Sequence, residues 1–187
     1  QTSKEISIRI VRGDLPSQTS ADDVKTIDSI LITDNGIGFT EDNYKSFETP
    51  FTSLLREHGC KGIGRFTVLA AFKQIHVKSN YREGEAWKYR EFTCNAEKEV
   101  VPIRFENSTN TEYNTSIELT DCFNLTIKDK MALSIQDISQ EIMRHCLIYY
   151  LGNNLPVIRV FEADDLENVI VINELFKNIS NECERVF

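Results

Sequence analysis

The chain has 187 residues, 41% of them hydrophobic, with 29 acidic against 21 basic side chains and a net charge of −8. That length and apolar content suit one domain with a full core. The acidic balance argues against nucleic acid or an anionic membrane as a partner by bulk electrostatics, although Lys61, Arg65, Lys73 and Lys78 fall close together.

In chain order, Ile6–Val11 alternates apolar and polar residues and predicts a half-buried strand. A polar loop is expected over Gly13–Asp23, then a buried, β-branched strand over Ile27–Thr33 that ends on Asp34-Asn35-Gly36-Ile37-Gly38-Phe39. Thr40–His58 is polar and mixed, with Pro50 breaking any long helix; it reads as a candidate lid, or as a surface loop with a short helix near Asp42–Phe47. A second cluster, Gly59-Cys60-Lys61-Gly62-Ile63-Gly64-Arg65-Phe66, leads into the run Thr67–Lys73, whose Ala and Leu content predicts a buried helix.

Strands follow at Ile75–Asn80, Trp87–Cys94, Val100–Phe105 and Thr115–Leu119, separated by turn-length connections that imply an antiparallel meander. Apolar residues at Ile135, Ile138, Ile142, Cys146 and Tyr149 mark one face of a helix within Met131–Leu151, with Gly152 as its stop. Val157–Phe161 and Val169–Ile172 read as a last pair of strands. The expected architecture is α+β, a two-layer α/β sandwich with one mostly antiparallel sheet and helices on one face.

The five cysteines are odd in number and widely spaced, which suggests neither a disulfide framework nor a zinc site, and a reducing cytoplasm is expected. No run has the length of a membrane-spanning helix. Common P-loop, dinucleotide, zincin and nucleophile-elbow motifs are absent. His76 sits in a strand pattern and reads as structural; His58 reads as a solvated loop residue.

The chemistry therefore concentrates in the two glycine clusters. The first puts a carboxylate and two glycines at the end of a buried strand. Asn35-Gly36 is also a common hairpin turn, since both positions accept positive φ. The second presents backbone N–H groups beside the positive end of a helix, a seat for phosphate; its glycines equally permit a tight turn with close helix packing.

Taken in this order, the clusters resemble the D-x-G-x-G and G-x-x-G-x-G boxes of the GHKL ATPases, the superfamily of gyrase, the heat-shock chaperone, sensor histidine kinases and MutL. Asn114-Thr115-Ser116-Ile117-Glu118-Leu119 is similar to a third box, with Asn114 where Gly is usual. The likeness is nearest to bacterial heat-shock-chaperone-like ATP-binding proteins and runs from the first strand to about Ile172. It implies the Bergerat form of the two-layer sandwich, a single ATP-binding domain over residues 1–187, and ATP as ligand. On that likeness Asp34 accepts a hydrogen bond from the adenine amine, Gly36 and Gly38 let the backbone lie against the base, and Thr115 shares a water with Asp34 and the ring nitrogen. Gly62, Ile63, Gly64, Arg65 and Phe66 offer N–H groups to the phosphates, and Lys61 or Arg65 adds side-chain charge or is a solvated cation.

The family also carries an E-x-x-x-N box on a helix before the first strand, whose Glu is general base and whose Asn holds Mg2+. Glu106…Asn110 and Glu174…Asn178 have that spacing but follow both glycine boxes, so they read as chance. The expectation is a piece lacking its upstream helix, with no catalytic or metal-ligating residue of its own and no ATP turnover. Lid closure driven by nucleotide would move attached domains, with self-dimerisation or a protein partner acting through them. The alternative is a non-catalytic interaction module on the same fold, with vestigial nucleotide binding.

Overall fold

The computed structural model describes residues 4–16, 25–51, 64–130, 132–150 and 156–184. Its strands are β1 (Glu5–Pro16), β2 (Lys25–Asp34), β3 (Phe72–Glu83), β4 (Ala86–Asn95), β5 (Glu99–Asn107), β6 (Asn114–Cys122), β7 (Val157–Glu162) and β8 (Asp165–Val171). The helices are α1 (Glu41–Glu48), α2 (Gly64–Leu69), α3 (Leu125–Lys130), α4 (Ile135–Tyr150) and α5 (Ile172–Glu184).

All eight strands form one sheet in the order β5-β4-β3-β6-β2-β1-β7-β8. β1 pairs antiparallel with β2 but parallel with β7, so the sheet is mixed. The meander expected from the short connections holds for β3, β4 and β5, whereas β6 returns to pair with β3 and β2.

The expected two-layer sandwich of the Bergerat type, with a mostly antiparallel sheet under a helical layer, is corrected by this architecture. Among the described residues strands are the commonest element, and all eight lie in one mixed sheet accompanied by few short helices. Two physical causes stand out. Pairing extends the strands well past the alternating cores: β1 and β3 each run 12 residues, and β1 absorbs Gly13–Pro16, where a loop was expected. Thr67–Lys73 is split, the helix ending at Leu69 and β3 beginning at Phe72, because Phe72 pairs with Cys122 across the sheet. Among the described helices only α4 and α5 exceed three turns, and both touch β7, so among the described residues no long helix lies along β3, β4 and β5.

Cross-strand partners share a face, so the registers define ranks of side chains across the sheet. One rank is Ile8, Ile32, Ile117, Val77 and Phe92; the next is Ile10, Ile30, Leu119, Ile75 and Cys94. These apolar ranks form the core, joined by Ile135 and Met143 of α4 and Ile172 of α5. Ile138 and Ile142 of α4 pack against that core, as the helical spacing predicts. The opposite face is polar: His76 faces Glu118 across the ladder, and its Nε2 lies 2.8 Å from Glu91 Oε1. That pairing gives His76 the structural place expected of it. Among the described residues, no helix is long and apolar enough to cross a membrane.

Candidate functional site

The third rank on the core face turns polar. It reads Asp34, Thr115, Ser79 and Arg90 on β2, β6, β3 and β4, each the direct partner of the next. Thr115 and Ser79 are buried, and Arg90 is only 5% exposed. Apolar ranks fill the core behind it, so the sheet itself lines up four hydrogen-bonding side chains at one end of a hydrophobic face.

The loop after β2 is held onto this rank by hydrogen bonds of its own. Asn35 Oδ1 accepts from the Glu5 N–H at 2.8 Å, and Asp34 Oδ1 accepts from the Gly36 N–H at 2.7 Å. The Phe39 N–H donates to Ser79 Oγ at 2.9 Å, and Asn43 Nδ2 donates to the Gly38 carbonyl at 2.7 Å. Asn35-Gly36 is therefore not a hairpin turn; the loop instead delivers the chain to α1, where Thr40 is the N-cap. Gly38 has φ of +72°, and a Cβ there would meet Ser79 Oγ at 2.6 Å and the Tyr81 Cβ at 2.9 Å. No other residue fits that position without strain.

Burial raises the Asp34 carboxyl above its usual range, against a smaller lowering from the Gly36 N–H. One carboxylate oxygen is thus engaged by the loop in a partly desolvated setting. A hollow of ≈ 190 Å³ opens at the same strand ends, lined by Asp34, Asn35, Thr33, Tyr113 and Asn114 among others. A larger cavity, ≈ 380 Å³, lies away from this rank between β1, β2 and α4. Its walls are aliphatic apart from Cys146, Glu141 and His145, so it has little with which to orient a polar ligand.

The structure brings Asp34, Gly36, Gly38 and Thr115 together. Lys61, Gly62 and Ile63 lie outside the described residues, as do Gly59, Cys60 and His58. Gly64, Arg65 and Phe66 open α2, but Arg65 Nη1 donates to the carbonyl of Phe47 at the end of α1. Its guanidinium also lies 4.8 Å from the Phe66 ring centroid. In this conformation Arg65 caps α1 and is not turned toward Asp34.

The first part of the expected lid is an ordered helix docked on the sheet. Phe39, Tyr44 and Phe47 surround Phe92, with ring centroids 5.1, 5.0 and 5.3 Å away. Arg90 Nη2 donates to Glu41 Oε2 at 2.6 Å, and its guanidinium lies 4.2 Å from the Tyr44 ring centroid. Burial and the neighbouring Glu48 push Tyr44 up to about 12, so it stays neutral under the cation.

The two pairs with the Glu-x-x-x-Asn spacing do not meet at the Asp34 rank. Glu174 and Asn178 are exposed on α5, a helix that packs on α4 and β7 and not on the Asp34 rank. Glu106 is exposed and paired with Arg104, while Asn110 Oδ1 accepts from the Glu112 N–H. No described group of three or more His, Cys, Asp or Glu is placed to hold a metal ion.

Reading by motif missed Ser79, Asn43, Tyr81 and Arg90. Ser79 had one available signal: in the alternation of β3 it falls on the core side, two residues after Val77, where a hydroxyl needs a partner. No protein-family model matches this chain, and no curated protein matches it.

Proposed function

We propose that this chain is an adenine-nucleotide-binding domain of GHKL type, part of an ATPase whose nucleotide-dependent lid closure moves attached domains in the cytoplasm. The observation that carries the reading is the pairing of Asp34 with Thr115 across β2 and β6, with Gly38 pressed behind them. A carboxylate acceptor, a buried hydroxyl and a side-chain-free stretch of backbone on one rim suit a planar base with an exocyclic amine. The loop is held by Glu5, Ser79 and Asn43 before any ligand arrives, so little ordering cost falls on binding. The free cysteines Cys94, Cys122 and Cys146 accord with a reducing compartment.

On this reading the described residues bind and orient nucleotide. Hydrolysis, on the same reading, would draw its general base and magnesium ligand from a helix upstream of β1. Binding groups that act equally on ground and transition state do not speed chemistry by themselves.

A second reading keeps the chain as an interaction module. It is favoured by the outer strand β5, where Ile103 is 55% exposed and Phe105 57%. Calorimetric titration of ATP and GTP separates the two. A preference for ATP that disappears in Asp34→Asn supports the nucleotide reading; the lost charge-assisted contact is worth about 1.5–3 kcal/mol. Equal affinity for ATP and GTP overturns the assignment of Asp34.

A further inference from the structure

The peptide bond between Gly38 and Phe39 is gripped from both sides by side chains. Its N–H donates to Ser79 Oγ on β3 at 2.9 Å, and its carbonyl accepts from Asn43 Nδ2 on α1 at 2.7 Å. A glycine at φ +72° can turn the peptide that follows it at little cost, because no Cβ hinders the rotation. The loop therefore relies on such grips to keep one backbone shape. Ser79 is fully buried in the sheet, whereas Asn43 belongs to a helix that must itself stay docked.

Asn43 is the third residue of α1, a position whose side chain commonly reaches back to the N–H of the cap residue. Here Thr40 caps the helix, its Oγ1 accepting from the Asn43 N–H, and the Asn43 amide goes to the loop instead. Glu41 anchors the same turn to the sheet. Arg90 Nη2 donates to Glu41 Oε2 at 2.6 Å, and the Glu41 N–H donates to Glu83 Oε1 at 3.2 Å. One helical turn thus joins the sheet anchor to the glycine loop. Resting on the nucleotide reading, we infer that Asn43 is a positioning residue: it passes the docking of α1 to the Gly38–Phe39 peptide and so sets the backbone against which the base lies. Asn43 touches no ligand in this account. When α1 undocks, its amide leaves the Gly38 carbonyl, the peptide is free to turn, and binding must order it again. By linkage, a nucleotide seated on the loop favours the docked helix by the same factor.

The test reads two quantities in the full chain and in Asn43→Asp, Glu41→Ala and the double variant: exchange of the Phe39 amide without ligand, and ATP affinity by calorimetry. Asn43→Asp keeps the size and puts an acid in the first turn, which suits a helix, but it has no N–H for the carbonyl. It should speed Phe39 exchange about fivefold, the scale of one neutral hydrogen bond, and weaken ATP by a similar factor. Glu41→Ala should do the same from the sheet end of the turn. In the double variant each loss should stay about fivefold, because both changes break one connection. A product of about twenty-fivefold would mean that the two act independently, and it overturns the inference. A role for Asn43 in the helix alone would leave Phe39 exchange unchanged in Asn43→Asp, which also overturns it. A wild type that binds no ATP while Phe39 exchange responds as stated overturns the nucleotide reading and the role given to Asn43 in it; ATP binding beside an unresponsive Phe39 amide overturns Asn43 alone.

Discussion

Arg90 and Glu41 tie the end of the polar rank to the helix that follows the glycine loop, with Nη2 2.6 Å from Oε2. The hydrogen bond from Arg90 is the main reason that the Glu41 carboxyl lies below its usual value of 4.5. A carboxyl whose folded pKa is depressed adds stability that is complete above the unfolded value and is lost as pH falls through the folded one. Thermal melts at about pH 7 and about pH 3.5 should therefore show a steeper acid loss for the wild type than for Glu41→Gln. Because Glu41 is half exposed, the difference should shrink in high salt. Identical acid profiles would show that the pair contributes nothing to the fold.

Asp34 behaves with the opposite sign. Burial raises its folded pKa, so the ionised carboxylate is a cost to the folded chain at neutral pH, relieved as pH falls through the folded value. Asp34→Asn keeps an oxygen for the Gly36 N–H and removes the desolvated charge. Its melting temperature at about pH 7 should equal or exceed that of the wild type, even as the proposed adenine contact is lost. A marked fall in melting temperature would mean that the carboxylate is needed for folding.

The two glycines of the loop should respond differently to alanine. At Gly38 the left-handed backbone and the close approach of Ser79 and Tyr81 combine, and Gly38→Ala should cost about 2–3 kcal/mol in urea unfolding. At Gly36 the added methyl meets only Asp34 Oδ1, at 2.7 Å, the end of a side chain that can turn aside. Gly36→Ala should cost under about 1 kcal/mol in stability, within the usual range for mild substitutions, while displacing the carboxylate and weakening the proposed nucleotide binding. Equal destabilisation by the two variants would contradict this placement of the loop.

Hydrogen exchange should find α1 protected without ligand. Thr40–His58 reads from sequence as a candidate lid, yet in its described part Tyr44 and Phe47, with Phe39 just before it, pack on the fully buried Phe92. Phe92→Ala should cost about 3–5 kcal/mol and speed exchange across Glu41–Glu48 more than in β3. Fast exchange of α1 in the wild type would overturn the docking of this helix on the sheet.

What could be read before folding was local. The apolar alternation of Ile6–Val11 and Ile27–Thr33, the three-and-four spacing of Ile135, Ile138 and Ile142, and the glycine loop after Asp34 all depend on near neighbours. Backbone period and glycine geometry act over a few residues, so the sequence alone could place the carboxylate beside its two glycines. Strand partners are another matter. The parallel alignment of Ile8 with Val160 joins residues about 150 apart, and no periodicity carries that information. Without it the strand lengths and the mixed sheet were out of reach, and the sandwich drawn from strand and helix patterns was the wrong architecture. Ser79 shows the same division at the site. In sequence it is one polar residue in an alternating strand; only the registers of β3 with β6 and β4 set it between Thr115 and Arg90, and only the fold of the loop brings the Phe39 N–H to its oxygen. A hydroxyl takes its role from partners that the chain supplies from 36 and 40 residues away, and tertiary packing alone decides who they are.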